Sequence, residues 1–420
     1  MAHPFWDKYI EFEEGENATD RVFAILSRII HIPLHQYARY FEKYRQMAGS
    51  RPLQDLAPPD VLQRLTTETH SELAAVGGGG PEFERLIRAR LDEYHLDVFK
   101  RTQDETTKRW TYEQEVKRPY FHVTELDEGQ LANWQKYLDF EEAEGDFGRI
   151  CFLYERCLVT AAHYDKFWHR YARWMYAQEG KEEEVRNIFQ RASCFYVPIA
   201  RPAIRTQWAL FEETCGRPSV AAAIYEAILV VMPDHLEAIV SLANLQRRQE
   251  GYASAIAVYQ QYLENSACPT QIKGALVAEM ARLAWKTTGN VEEGRDIFQR
   301  HQQWYLDSQP FFDGYLTYEL DQPTSAENEM KQYLSVKAVH DVIRHKSHLP
   351  PDAVKELSQK YMKYLTERGG SATAKEYMEL DAEVNGPASI VPVMRARNFA
   401  QKKPTPAQKA NGPNGHHAAS

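Results

Sequence analysis

The chain has 420 residues and a mass of 48.6 kDa, too long for one ordinary core, so it holds several domains or a repeat array. With 43% hydrophobic and 26% charged residues it has a globular balance, and its longest apolar stretch, 227–232, falls far short of the roughly 20 residues a membrane span needs, which excludes a membrane protein. The net charge of −9 is unevenly held: from Val384 onward there are five basic residues and no acidic one, which leaves 45 basic against 59 acidic residues, or −14, in the first 383.

A body that acidic repels a phosphate backbone, so binding of nucleic acid over its whole surface is disfavoured. Residues 1–7 show no basic segment followed by an apolar one, so no secretory signal is visible. The five cysteines (Cys151, Cys157, Cys194, Cys215 and Cys268) include no C-x-x-C pair. They are expected to be small buried hydrophobes in a reducing compartment, not a disulfide framework or a zinc module.

In chain order, residues 1–48 read as two helical units, one centred on Gly15 and one on Tyr37, Tyr40 and Tyr44. Residues 49–81, with Pro52, Pro58, Pro59 and the glycine run 77–80, break the helical period and are predicted to be an insertion loop. The segment 82–130 is predicted to be a long charged helix and linker, a stiff connector between two lobes. Its apolar set is heptad-like: Phe83, Leu86, Ile87, Leu91, Tyr94, Leu96, Val98 and Phe99. A repeat array occupies 131–385. Residues 386–420, rich in Pro, Ala, Asn and Gly, are predicted to be a disordered basic tail carrying Arg395, Arg397, Lys402, Lys403 and Lys409.

The array announces itself by spacing. Glycines recur at Gly145, Gly180, Gly216, Gly251 and Gly289, and an aromatic follows each by eight or nine residues: Tyr154, Phe189, Tyr225, Tyr259 and Phe298. Gly15 with Phe23 and Gly369 with Tyr377 repeat the pair. Upstream of the glycines runs a second pattern of aromatics three residues apart that closes on an aromatic-Glu pair. It reads Trp6, Tyr9, Phe12-Glu13; Trp134, Tyr137, Phe140-Glu141; and Trp208, Phe211-Glu212, with Arg205 in the first slot. Trp168 and Tyr171 fit, with Met175 in the glutamate's place. Such spacing puts the rings on one helix face, and the glycine supplies a left-handed stop that turns the chain into a second amphipathic helix. Helix, tight turn and helix in about 35 residues make an all-α helical-hairpin solenoid, with about nine repeats in two lobes.

These positions, with Tyr-Glu-Arg at 154–156, resemble the half-a-TPR (HAT) repeat. Two longer stretches carry a closer resemblance: Lys117-Arg118-Pro119-Tyr120-Phe121-His122-Val123 leading through Leu131-Ala132-Asn133-Trp134 to Tyr154-Glu155-Arg156-Cys157-Leu158, and Leu349-Pro350-Pro351 with Lys375-Glu376-Tyr377-Met378 to Pro387. Together they resemble the pre-mRNA-processing factor 39 family, HAT-repeat components of the U1 small nuclear ribonucleoprotein. That resemblance implies a nuclear, non-enzymatic scaffold that bridges U1 proteins, supports 5′ splice-site recognition and meets U1 RNA and pre-mRNA mostly indirectly. It also implies a homodimer, or a heterodimer with a related HAT protein, through the last repeats. The alternatives are a HAT scaffold of mRNA 3′-end processing and a direct RNA-binding module built on the tail and an aromatic groove.

A local argument supports the dimer. A solenoid caps its final face with polar residues or covers it with a partner, and the terminal unit offers Val354, Leu357, Tyr361, Tyr364 and Leu365 on one helix and Tyr377, Met378 and Leu380 on the next. This set is the expected dimer interface. Chemistry finds less support. Glu13, Glu141 and Glu212 lie a repeat apart and cannot converge on a substrate, so they are expected to cap and hydrogen-bond within their turns. No Lys-Ser/Thr follows the glycine run and no strand precedes it, which leaves a linker. His340, His345 and His348 lack an i, i+4 pair, so no metal is expected, and no cofactor. No nucleophile, base and oxyanion set can be assembled from the motifs.

Overall fold

The computed structural model describes residues 3–76, 80–325, 327–371 and 373–386. Among them are nineteen α-helices and no strand. Two compact units divide at Arg173 and Trp174.

The first unit begins with α1 (His3–Gly15), α2 (Thr19–Ile29) and α3 (Tyr37–Ala48). A 3₁₀ turn, Leu53–Asp55, leads to α4 (Pro59–Val76) and α5 (Gly80–Glu115). An irregular stretch then reaches α6 (Glu128–Glu144), α7 (Phe147–Thr160) and the start of α8 (Asp165–Tyr176). The expected insertion loop is therefore mostly helix. Pro58 and Pro59 stand at the entrance to α4, where a missing N–H costs nothing, and do not break it. Leu65, Thr69 and Leu73, one turn apart, form its buried line, and the Thr69 hydroxyl donates to the Leu65 carbonyl at 2.7 Å.

The long helix is also more than a connector. Ile87, Leu91 and Val98 of α5 are buried in one core with α2 and α3, and Arg90 pairs with Glu68 and Glu72 of α4. α5 then packs on α6 within the same unit. The division expected across 82–130 instead falls inside α8, because α5 buries a face along much of its length and ties α3 and α4 to α6.

The second unit continues with α9 (Glu182–Arg191), a π-helical turn (Ala192–Tyr196), α10 (Ala203–Thr214), α11 (Pro218–Val231), α12 (Leu236–Glu250), α13 (Tyr252–Glu264), α14 (Thr270–Thr288) and α15 (Val291–His301). It ends with α16 (Gln309–Leu320), α17 (Glu329–His345), α18 (Pro351–Arg368) and α19 (Thr373–Val384). From α9 onward each helix packs on the next, and a continuous core runs from Ala209 to Leu380.

The α6–α7 hairpin shows how sequence makes each unit. Asp127 caps α6 by accepting from the Gln130 N–H at 2.7 Å. Gly145 ends it at φ 82, its N–H on the Glu141 carbonyl, and Asp146 opens α7 by accepting from the Arg149 N–H at 2.8 Å. Gly180, Gly216, Gly251 and Gly289 likewise have positive φ. The outer pairs differ: Gly369 is extended at φ −77, and in the first hairpin Asn17, not Gly15, takes the left-handed conformation at φ 55. Apart from Gly386, the expected basic tail lies outside the described residues.

Candidate functional site

The aromatic positions of the repeat converge on one recurring arrangement between neighbouring hairpins. One helix offers an arginine followed three residues later by an aromatic. The next first helix receives them with two aromatics and a glutamate.

In the first unit α5 is the donor and α6 the receiver. The Arg109 guanidinium donates to both oxygens of Glu141, Nε to Oε1 at 2.5 Å and Nη2 to Oε2 at 2.9 Å, and lies over the Phe140 ring. Tyr112 stacks on Tyr137 with centroids 5.0 Å apart and meets Phe140 at 5.4 Å. In the second unit α9 gives Arg186 and Phe189 to α10. Arg186 Nε donates to Glu212 at 2.8 Å with the guanidinium over Phe211, and Phe189 packs on Phe211 at 5.7 Å. Further along, α15 gives Arg295 and Phe298 to α16. Arg295 is bidentate to Glu319 at 2.7 and 2.8 Å, and Phe298 stacks on Tyr315 at 4.3 Å.

Glu141, Glu212 and Glu319 are 3%, 1% and 1% exposed. A carboxylate so far from water needs a hydrogen-bonded cation, and the planar guanidinium supplies two parallel bonds at Glu141 and Glu319 and a single one, from Nε, at Glu212. The bond to Glu319 is the leading cause that holds Arg295 above its ordinary pKa. In the sequence, the matching slots for the pair that would follow α7 hold Cys151 and Met175, so arginine and glutamate are absent together.

A second glutamate extends two of the locks forward. Glu142 accepts from Arg170 of α8 at 3.0 and 2.8 Å and from the Tyr154 hydroxyl. Glu213 accepts from Arg248 of α12 at 2.7 and 2.6 Å, a pairing that heads the causes lowering its pKa. Behind the first lock, burial would raise Glu113, but the Arg156 guanidinium and the Tyr137 hydroxyl hold it below the usual carboxylate range.

The expected repeat positions Trp134, Tyr137, Tyr154, Trp168, Tyr171, Phe189, Tyr225, Tyr259 and Phe298 are all buried. Arg156 is partly buried on Glu113, and Trp208 and Trp6 are half-buried. Tyr9 departs from the pattern at 40% exposed. The glutamates expected to serve their own turns reach across to a neighbouring helix instead, Glu13 alone pairing with an arginine of its own hairpin, Arg21. The sequence reading missed Arg109, Arg186 and Arg295, although the last two stand three residues before the repeat aromatics Phe189 and Phe298; Tyr112, three residues after Arg109, was missed with it. Arg205, in an aromatic's slot, donates to the carbonyls of Ser193, Val197 and Pro198 and so secures the π-helical turn that exposes Phe195. Cys157 and Cys268 are buried as expected, whereas Cys194 in that turn is exposed.

Of the expected dimer set, Leu357, Tyr361, Tyr364, Leu365 and Leu380 are at most 5% exposed within the chain itself. They form the terminal unit's own core, because α18 turns them toward α16, α17 and α19 and leaves polar Lys355, Glu356, Gln359 and Lys363 outside. Val354 and Tyr377 are half-buried, and Met378 is 65% exposed. His340 is buried against Ser358 at 3.0 Å.

Two family models match: the PRP39 N-terminal HAT repeat over residues 1–46 and the PRP39 C-terminal HAT repeat over 107–248. Pre-mRNA-processing factor 39 of Schizosaccharomyces pombe is 46% identical over 404 residues, which are 93% of this chain and 66% of that protein. The Homo sapiens protein of the same name is 29% identical over 70% of this chain and 46% of its own length. The chain thus spans about half to two thirds of these relatives. The U1 small nuclear ribonucleoprotein component PRP42 of Saccharomyces cerevisiae is 21% identical over 41% of this chain and 32% of its own. The crystal structure of CstF-77 shares the fold, with a TM-score of 0.54 at 12% identity over 97% of this chain and 84% of that one. The repeats, the locks between them and these relatives agree: the chain belongs to the pre-mRNA-processing factor 39 family.

Proposed function

We propose that this chain is a non-enzymatic scaffold of pre-mRNA splicing that works in the nucleus within the U1 small nuclear ribonucleoprotein, bridging U1 proteins and supporting 5′ splice-site recognition. The observation that carries the reading is the 46% identity to pre-mRNA-processing factor 39 over 93% of the chain. The packing suits such work. Helices tied by buried guanidinium–carboxylate pairs hold their spacing, so surfaces many repeats apart keep a fixed geometry. Exposed apolar side chains at the ends of three second helices, Phe195 after α9, Val230 in α11 and Trp304 after α15, supply contact points for proteins. With −14 over residues 1–383, contact with U1 RNA and pre-mRNA is mostly indirect.

Pairing with a second HAT chain, its own copy or a related one, is part of the proposal. In the last units it would use Met378, Met330 and Leu334, which are exposed, since most of the set expected from sequence is internal. Affinity purification of the full chain from nuclear extract, with sequencing of the bound RNA and mass spectrometry of the proteins, tests the reading. U1 RNA with U1 proteins is the expected result. Recovery of a 3′-end cleavage complex without U1 RNA overturns it.

A further inference from the structure

Each lock has a third position. In the first, Glu105, one turn before Arg109, accepts from that arginine's Nη1 at 2.6 Å and from a second cation, Arg149 of α7. In the last, Glu292 accepts from Nη1 of Arg295 at 3.0 Å and from Lys331 of α17 at 2.9 Å. The middle lock has the acid without the second cation. Glu183 accepts from Nη1 of Arg186 at 2.5 Å, but Arg217 stands 3.9 Å off. Helix α11 carries Val220 in the register of Arg149 and no basic residue. The pair behind it differs as well: Glu141 and Glu319 have both oxygens bonded to their arginines, whereas Oε2 of Glu212 is buried with no hydrogen-bond partner among the described residues.

Where that cation is missing there is a cavity of about 360 Å³, walled by Tyr176 at the end of α8, Glu182, Glu183 and Arg186 of α9, and Arg217. Tyr176 is 60% exposed and the Glu183 side chain 77%, and Glu182 is exposed with no ion pair among the described residues. We propose that this cavity binds a lysine or arginine side chain from a basic segment of a partner protein. The cation bridges Glu182 and Glu183 beside the Tyr176 ring, the place that Arg149 and Lys331 fill from within the chain at the other two locks. With Glu183 held in this way, Arg186 is free to bring Nη2 to Oε2 of Glu212, so docking adds the second bond and stiffens α9 against α10. Charge complementarity selects the occupant: Arg186 is spent on Glu212, and Glu179, Glu182, Glu183 and Glu184 outnumber Lys181 and Arg217 at this corner. The chemistry is read from the locks and does not depend on which particle the scaffold serves.

The probe is a fluorescein-labelled nine-residue glycine-serine peptide with two arginines, and its binding to the full chain is followed by fluorescence anisotropy at about 0.1 M salt. A Kd below about 1 mM is expected. Binding should weaken at least about tenfold for the peptide with citrulline in place of arginine and for Glu182→Gln with Glu183→Gln, and about threefold for Tyr176→Ser. Glu367→Gln with Glu379→Gln, which removes the same charge from exposed sites in the last unit, should leave it unchanged. Hydrogen exchange of α9 and α10 should slow with the peptide bound. No binding, equal weakening by the control pair, or unchanged exchange overturns the proposal. So does a tenfold gain in affinity when Arg395, Arg397, Lys402, Lys403 and Lys409 are all changed to Gln, which would make the occupant the chain's own tail. Light scattering that shows a wild-type dimer dissolved by the Glu182 and Glu183 changes would make it a second copy, and overturns it too.

Discussion

Glu319→Gln tests whether the locks hold the array. The Glu319 side chain is 1% exposed and that of Arg295 10%, and both oxygens of the carboxylate are bonded to the guanidinium at 2.7 and 2.8 Å. Glutamine keeps the shape but removes the charge, so Arg295 remains as a buried cation with only Glu292, 58% exposed, to face. Breaking a buried pair on one side costs about 3 to 5 kcal/mol, most of it the uncompensated charge. Replacing both partners by apolar residues of similar size, Arg295→Met with Glu319→Leu, removes that charge and is expected to recover stability to within about 1 kcal/mol of the wild type.

The solvated Arg85–Glu82 pair supplies the contrast: with the two side chains 75% and 53% exposed, Arg85→Ala is expected to cost about 0 to 1 kcal/mol. Urea denaturation by far-UV circular dichroism, together with hydrogen exchange of α15 and α16, reads the differences. Repeat arrays can unfold in parts, so the exchange data locate the loss. If Glu319→Gln costs under about 1 kcal/mol, or the double variant is no more stable than the single, the pairs are solvated decoration and the rigidity argument fails.

How much was legible depends on which physical signal each feature leaves. The hairpins were legible because burial repeats: Trp134, Tyr154, Phe189 and Phe298 recur at fixed offsets from glycines that supply the left-handed turn at Gly145, Gly180 and Gly289. The α4 helix was hidden because Pro58, Pro59 and the glycine run flank it, and punctuation outweighed the one-turn spacing of Leu65, Thr69 and Leu73. The locks were half legible. Glutamate after an aromatic marks the receiver, but a carboxylate that has a partner 24 or 32 residues away looks the same in sequence as one that serves its own turn. The terminal tyrosines failed differently. Counting Tyr361 and Tyr364 as surplus assumed one neighbour, whereas Tyr361 stacks on His340 of α17 and its hydroxyl bonds Glu376 of α19.

Three further outcomes are expected. Gly289→Ala places a side chain in open space but at φ +72, so it should cost about 1 to 2 kcal/mol by thermal melting, while Gly15→Ala, also in open space and not left-handed, should be neutral or slightly stabilising. Residues 1–386 should bind RNA at best weakly in filter binding at moderate salt, and submicromolar affinity would overturn the charge argument. The last concerns acid. His340 is buried in a stack on Tyr361 with its Nε2 on the Ser358 hydroxyl, and burial, then the nearby Arg344, push its pKa from 6.5 down to about 4 despite Glu376. An imidazole that charges at 6.5 when unfolded but near 4 when folded gives the unfolded chain the extra proton between those values. Its contribution is therefore full above about pH 6.5 and is lost as pH falls toward 4, about 2 kcal/mol of it between pH 7 and 5. Carboxylates such as Glu376, held low by Lys337 and Tyr333 against burial that would raise it, titrate in the same direction only at lower pH. The difference between wild type and His340→Gln in urea melts at pH 7, 6 and 5 isolates the imidazole. A gap that shrinks by about 2 kcal/mol as pH falls supports the reasoning, and a gap constant with pH shows that His340 takes up its proton within the folded core.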